Sequence, residues 1–217
     1  MERSDTAHTH WNRTWRDAAG RKQWSDPDPQ VVACAAKTRL AGAHDALDLG
    51  CGVGRHALAL ARLGYATSAI DGSESGIEAL KGAANDLGLA IDAHCGLMTE
   101  LPFGDNAFDL VICFNVIYHG APDVVQQAID EITRVTRAGG TLFLTMLSKR
   151  NTGHGVGVEV APGAFVVPDA PDDKVHPHFY CDAAELTAML PGFDVRSLVD
   201  HEHRPGHWHW HLVAERR

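Results

Sequence analysis

The chain has 217 residues, which suits one domain of ordinary size with room for an appendage. Lys and Arg number 19 against 28 Asp and Glu, and the formal net charge of -9 argues against general binding to nucleic acid or to acidic membrane surfaces. Hydrophobic residues make up 45% and charged residues 22%, near globular averages, so disorder is excluded for most of the chain. The 14 histidines are the unusual count, because normal titration would carry the net charge toward zero as pH falls through about 6.5. Cysteines at 34, 51, 95, 113 and 181 form no C-x-x-C pair, the usage of a reducing compartment. The N-terminal stretch is polar, and the longest apolar run, 108–118, contains Asp109 and Asn115 and is too short to span a bilayer. The expectation is a cytoplasmic protein with no membrane partner.

In chain order, the first 25 residues are polar but carry Trp11, Trp15 and Trp24, as expected of a segment that docks on the domain. Asp26-Pro27 predicts a helix start, with Asp as N-cap and Val31, Ala35 and Leu40 on the buried face. Strands and helices then alternate. A strand over 46–49 ends in glycines, a helix over 57–63 is closed by Gly64, and a strand over 66–70 ends at Asp71. Ser75-Gly-Ile-Glu78 has the capping-box pattern and opens a helix that stops at Gly88. A strand is expected over 91–95, and another over 108–114 that is apolar enough to be buried on both faces. Pro122 opens a helix striped by Val125, Ile129 and Ile132, and Ala138-Gly-Gly140 turns into a strand over 141–147. Such alternation implies a parallel sheet covered by helices on both faces. Residues 148–181 are rich in Gly, Pro, Asp and His without a clear period, and are expected to form an insertion or lid. Asp182 with Glu185 restarts a helix through Leu190. Strands over 193–199 and 208–214, joined by Arg204-Pro205-Gly206, complete an antiparallel terminal hairpin. The whole of 1–217 is expected as a single domain.

The sharpest signal is Asp48-Leu-Gly-Cys-Gly-Val-Gly54. Glycines between a first strand and the next helix let the backbone approach a ligand closely. The spacing is G-x-G-x-G, not the G-x-G-x-x-G of dinucleotide binders. Asp48 before it would oppose a pyrophosphate but suit a cation. Asp71 lies 21 residues beyond Gly50, where an acid can accept both hydroxyls of a ribose. Together these residues describe a nucleoside joined to a cationic group. A dinucleotide site and a purely structural turn stay open as alternatives.

Those residues resemble the class I S-adenosylmethionine-dependent methyltransferases. Asp48–Gly54 is similar to the family's first motif, and Ala69-Ile-Asp71 to its ribose-binding position. Leu101-Pro-Phe-Gly-Asp-Asn-Ala-Phe-Asp-Leu-Val111 resembles the run before its fourth strand, and Arg137-Ala-Gly-Gly-Thr141 the turn into its fifth. Within the family, Trp24, Asp26-Pro27-Asp28-Pro29 and Asn115-Val-Ile-Tyr-His-Gly120 resemble the small-molecule branch that includes tellurite-resistance-type enzymes. The resemblance implies an α/β, Rossmann-like fold with S-adenosylmethionine as cofactor. It implies methyl transfer by in-line displacement to a small-molecule acceptor. Cofactor-binding residues would be Asp48, Gly50, Cys51, Gly52, Gly54, Asp71, Gly72, Leu97, Met98, Phe114 and Asn115. The family's acid after the third strand is missing, so Leu97 and Met98 would hold adenine by packing and backbone contacts. His119 is the first candidate for a general base and Tyr118 the second. A methyltransferase for a protein or nucleic acid, and a non-catalytic S-adenosylmethionine-binding module, remain alternatives. A monomer or homodimer is expected.

Seven histidines lie between His176 and His211. In an extended strand His207, His209 and His211 share one face and Trp208 and Trp210 the other. That face reads as a polar exposed surface, a substrate wall or a metal site. Neighbours two apart stand about 7 Å from each other, wide for a closed metal site, and no metal is expected. His176-Pro-His178-Phe-Tyr180 is the part of the insertion expected to reach the active site. Lys149 and Arg150 are candidates for holding an anionic acceptor, or belong to a solvated turn. The early tryptophans are packing anchors or an aromatic wall.

Overall fold

The computed structural model describes residues 6–217; the first five residues of the expected docking segment lie outside the described residues. The centre is a parallel sheet of β1 (Asp45–Leu49), β2 (Ala66–Asp71), β3 (Ile91–Cys95), β4 (Phe108–Cys113) and β5 (Thr136–Ser148) in the order β3-β2-β1-β4-β5. The order reverses between β1 and β4. A crevice therefore opens at the carboxyl ends of those two strands. β10 (His207–Arg216) runs antiparallel along β5, and β9 (Phe193–Arg204) along β10.

The central strands bury apolar side chains on both faces because helices cover both. Leu47, Leu49, Val111, Cys113, Leu142 and Leu144 pack with Val125, Ile129 and Ile132 of α6 (Pro122–Val135) and Leu186 of α7 (Ala183–Ala188). Their strand neighbours Ala46, Leu110, Ile112 and Phe143 pack on the other face with Val31 and Ala35 of α3 (Pro29–Leu40) and Leu60 of α4 (Arg55–Arg62). Among the described residues no helix is long and apolar enough to cross a membrane.

Several local expectations need correction. The cap of α3 is Asp28, whose side chain accepts the Gln30 N–H, so the helix starts at Pro29 and not at Pro27. Leu40 is 91% exposed, because nine residues from Val31 is half a turn out of phase on a helix. Ser73, not Ser75, caps α5 (Glu74–Asp86) by accepting the Gly76 N–H. Ser75 turns instead to Asn12 of α1 (His8–Thr14): its N–H donates to the Asn12 side chain and its hydroxyl to the Asn12 carbonyl. A second short helix, α2 (Ala18–Lys22), follows α1. The 148–181 segment is not irregular throughout. It holds β6 (Val158–Ala161), β7 (Ala164–Val166), a single 3-10 turn over Asp173–Val175 and β8 (His178–Cys181), which pairs with Leu147 and Ser148 at the end of β5. The Asp182–Glu185 capping box is present at α7.

Asp109 ties three strand ends together. Its carboxylate accepts the N–H groups of His44 and Asp45 at 2.7 and 2.9 Å and pairs with Arg137 at 2.7 Å. Burial raises its pKa, but these bonds outweigh it and leave the carboxyl below its ordinary value. Its contribution is therefore complete above the unfolded carboxyl's pKa of about 4 and is lost as pH falls through the lower folded value. Asp109→Ala should cost about 1–3 kcal/mol in urea denaturation at pH 7, with the deficit shrinking under acid. An equal deficit at pH 7 and pH 3 would contradict the ionic role.

Candidate active site

The first βα turn is built so that backbone lines the crevice. Gly50 has φ +68° and Gly52 φ +53°, conformations that favour glycine. A Cβ on Gly50 would overlap the Val116 side chain, and one on Gly52 would lie 2.8 Å from the Trp15 ring. The loop is held by Asp71 at the end of β2. One carboxylate oxygen accepts the Gly52 N–H and the other the Ser73 N–H, both at 2.8 Å. Burial pushes the Asp71 pKa up to about 6, opposed by those two hydrogen bonds and by the nearby His8 ring. Each oxygen keeps a lone pair in reserve, and Asp71 lines the cavity.

Nine of the expected cofactor residues line that cavity: Gly50, Cys51, Gly52, Asp71, Gly72, Leu97, Met98, Phe114 and Asn115. Asn115 is held at φ +60°, with its N–H on the Thr145 hydroxyl and its side-chain oxygen accepting from that same hydroxyl. The Cys51 thiol stays protonated, because burial and the charges of Asp71 and Asp48 push its pKa well up. Asp48 and Gly54 are not on the cavity wall. Asp48 is buried and accepts the Ala57 N–H at 2.9 Å, while Gly54 is the N-cap of α4 and has no side chain to offer. Asp48 thus serves as the missing anionic cap of α4 rather than as a partner for a cation in the crevice. Burial pushes its pKa up to about 7, against the Ala57 hydrogen bond and the attraction of Arg55.

The N-terminal segment forms the opposite wall. Trp11, Trp15 and Trp24 all line the cavity, with Trp11 stacked on Trp15 at 5.2 Å and edge-on to Trp24 at 5.2 Å. The indole N–H groups of Trp15 and Trp24 are buried without a hydrogen-bond partner. Arg55, which the glycine pattern alone did not single out, lines the same space, its guanidinium 5.3 Å from both the Trp24 and Phe114 rings. Its place directly after the glycines was the available signal.

His119 lines the cavity from beyond β4. Its Nδ1 meets the Val116 carbonyl at 2.7 Å and its Nε2 meets Asp173 at 3.1 Å. Burial lowers its pKa, against the pull of Asp173. Asp173 also lies 3.5 Å from Nε2 of His178. Burial would raise the Asp173 carboxyl, but the two facing imidazoles hold it well below the usual carboxylate range. The His176–Tyr180 run is not on the cavity wall; it comes up behind His119, through His178 on Asp173 and the Phe179 N–H on the Tyr118 carbonyl. Asp173 was not singled out, since a lone acid in an irregular segment has no spacing signal. Tyr118 is not on the wall. It is buried in the core with its ring 4.4 Å from His119, and burial keeps its phenol protonated, so it is not a base.

The hairpin histidines are covered unevenly: His203 is exposed, and His201, His207 and His209 are half-buried. His211 is buried, with Nδ1 on Gln30 at 3.1 Å and Nε2 on His203 at 3.0 Å, and burial pushes the His209 pKa down to about 3. Lys149 pairs with Glu185 and Asp182, and Arg150 lies over the Trp208 ring with Asp200 beside it. Neither offers an uncommitted cation to an acceptor.

A family model described as a methyltransferase domain matches residues 47–144. The chain is 32% identical over 120 residues to a ubiquinone biosynthesis O-methyltransferase from Parvibaculum lavamentivorans, covering 54% of this chain and 47% of that relative. The chain thus spans about half the length of that curated relative. In fold, it is similar to the Burkholderia thailandensis 1,6-didemethyltoxoflavin-N1-methyltransferase solved with S-adenosylhomocysteine, with a TM-score of 0.72 at 18% identity over 97% of this chain and 88% of that one. TehB from Haemophilus influenzae gives 0.66 at 18% identity over 97% and 67%. The matched span holds the glycine loop, Asp71, Leu97, Met98 and Asn115, while the tryptophans and Asp173 lie outside it.

The capping role of Asp48 has a direct check. Asp48→Ala should lower unfolding stability by about 1–2 kcal/mol in urea titration. Unchanged stability would show that α4 does not depend on it.

Proposed function

We propose that this chain transfers a methyl group from S-adenosylmethionine to a small-molecule acceptor in the cytoplasm. The observation that carries the reading is Asp71, pinned by two backbone N–H groups with free lone pairs facing a cavity walled by glycine backbone. That arrangement suits the paired hydroxyls of a ribose. The residues present also fit the other end of the donor. Arg55 and the unpartnered Trp15 and Trp24 N–H groups offer a cation and two donors to an amino-acid carboxylate. Leu97 and Met98 give adenine an apolar bed, and the stacked tryptophans offer aromatic faces to a positive sulfur.

Bound there, S-adenosylmethionine supplies a methyl group on a cationic sulfur, open to in-line displacement. The chain's part is to orient the acceptor and keep water out. Trp11 and Trp15 roof the crevice, and the 148–181 segment closes the side on which His119 stands. Because both ring nitrogens of His119 are engaged, it acts through Asp173 rather than as a free base. The similarity to an O-methyltransferase and an N1-methyltransferase supports an oxygen or nitrogen nucleophile on a small molecule. Five free cysteines suit the reducing compartment.

Calorimetric titration separates this reading from a dinucleotide site. S-adenosylmethionine should bind and NAD should not; tight NAD binding alone would overturn the assignment. Asp71→Ala should weaken S-adenosylmethionine by roughly 10- to 100-fold, equivalent to about 1–3 kcal/mol. In the unsubstituted protein the affinity should fall as pH drops through about 6, where the Asp71 carboxyl gains a proton and loses acceptor capacity. Asp71→Asn should flatten that pH dependence.

A further inference from the structure

We propose that His119, Asp173 and His178 form a binding site for one divalent transition-metal ion at the acceptor side of the cavity. Among the described residues, this is a group of three whose ligand atoms all lie within 4.8 Å of one another. Two imidazoles and one carboxylate are a donor set for zinc, iron, cobalt or manganese in the divalent state.

A carbonyl oxygen only accepts, so the 2.7 Å contact from His119 Nδ1 to the Val116 carbonyl places the ring proton on Nδ1. The 2.9 Å contact from His178 Nδ1 to the His176 carbonyl does the same for the second ring. With both rings neutral, the two Nε2 lone pairs face the same oxygen of Asp173, at 3.1 and 3.5 Å. Three acceptors then converge, and in that state none of the three has a proton to share. Backbone carbonyls fixing Nδ1–H and aiming Nε2 is the outer-shell arrangement of metal-bound histidines.

The hairpin histidines provide the contrast. His211 Nε2 and His203 Nε2 meet at 3.0 Å as a pair that one proton satisfies. In the trio, a proton on each ring would instead place two cations at a ring separation of 4.8 Å against a single carboxylate, with all three side chains largely buried. A single ion about 2.1 Å from each ligand atom satisfies all three lone pairs, and such ligands stand up to about 4.2 Å apart, so small side-chain adjustments close the set. The 3.1 and 3.5 Å separations already fall within that span.

Three protein ligands leave coordination positions open. His119 also lines the donor cavity, so the ion would lie beside the acceptor space. There it would favour an acceptor that presents a hydroxyl or other oxygen to a Lewis acid. That use rests on the methyltransferase reading; the site itself does not.

The test takes the full chain stripped by a chelator and titrates it with cobalt(II), read by visible absorption, and with zinc, read by calorimetry. One equivalent should bind per chain and raise the melting temperature. Asp173→Asn and His178→Ala should each weaken binding at least 100-fold, while His203→Asn should not. Asp173→Asn is also informative without metal. The amide supplies the N–H that the trio lacks, so this variant should melt no lower than the stripped protein, whereas a protonated-histidine ion pair would be destabilised. Calorimetric S-adenosylmethionine binding should persist in both trio variants, which keeps this test separate from the donor assignment. No stoichiometric binding at 100 µM metal, binding that survives both trio substitutions, or binding lost in His203→Asn would each overturn the proposal.

Discussion

The Asp71 carboxylate holds the crevice in shape. It joins the end of β2 to the glycine turn through Gly52 and to the start of α5 through Ser73. The Gly52 position in turn decides where Trp15 can rest, since the ring fills the space a Cβ would take. Sheet, turn, helix and N-terminal wall therefore meet through one buried acid. Its burial raises its pKa, and the backbone hydrogen bonds oppose that rise. The result is an acceptor that is already oriented and mostly desolvated before any ligand arrives, so little reorganisation is left for binding.

The two ends of the cavity are made by parts of the chain far apart in sequence. The aromatic wall comes from residues 11–24, and the other end is His119, backed by Asp173 and His178. They touch: Trp11 lies edge-on to His119 at 6.4 Å, and the Thr6 hydroxyl meets His176 Nδ1 at 2.8 Å. The N-terminal wall and the 148–181 segment thus meet across the crevice.

Much of this was legible in the sequence because it is local. The alternating elements, the G-x-G-x-G turn, Asp71 and the hairpin all follow from short-range pattern. What escaped was set by contacts between distant segments. Ser75 has the spacing of a helix cap, but Asn12 claims it from 63 residues away, and Ser73 caps instead. Asp48 sits beside the glycines in sequence, but the bare N-terminus of α4 turns its carboxylate away from the cavity. The hairpin histidines alternate as a strand should, but packing against Phe114 and Gln30 buries His211 at the inner end of their face. Asp173 carries no motif at all; only β8 pairing beside β5 brings it to His119.

On the proposed function, the crevice is built around a nucleoside carried by Asp71, with the reacting end directed toward His119. A crystal structure of the chain with S-adenosylhomocysteine tests it most directly. The account requires both ribose hydroxyls on the Asp71 carboxylate, adenine between Leu97 and Met98, and the sulfur turned toward the His119 side. Ribose bound elsewhere, with Asp71 keeping only its Gly52 and Ser73 contacts, would contradict it.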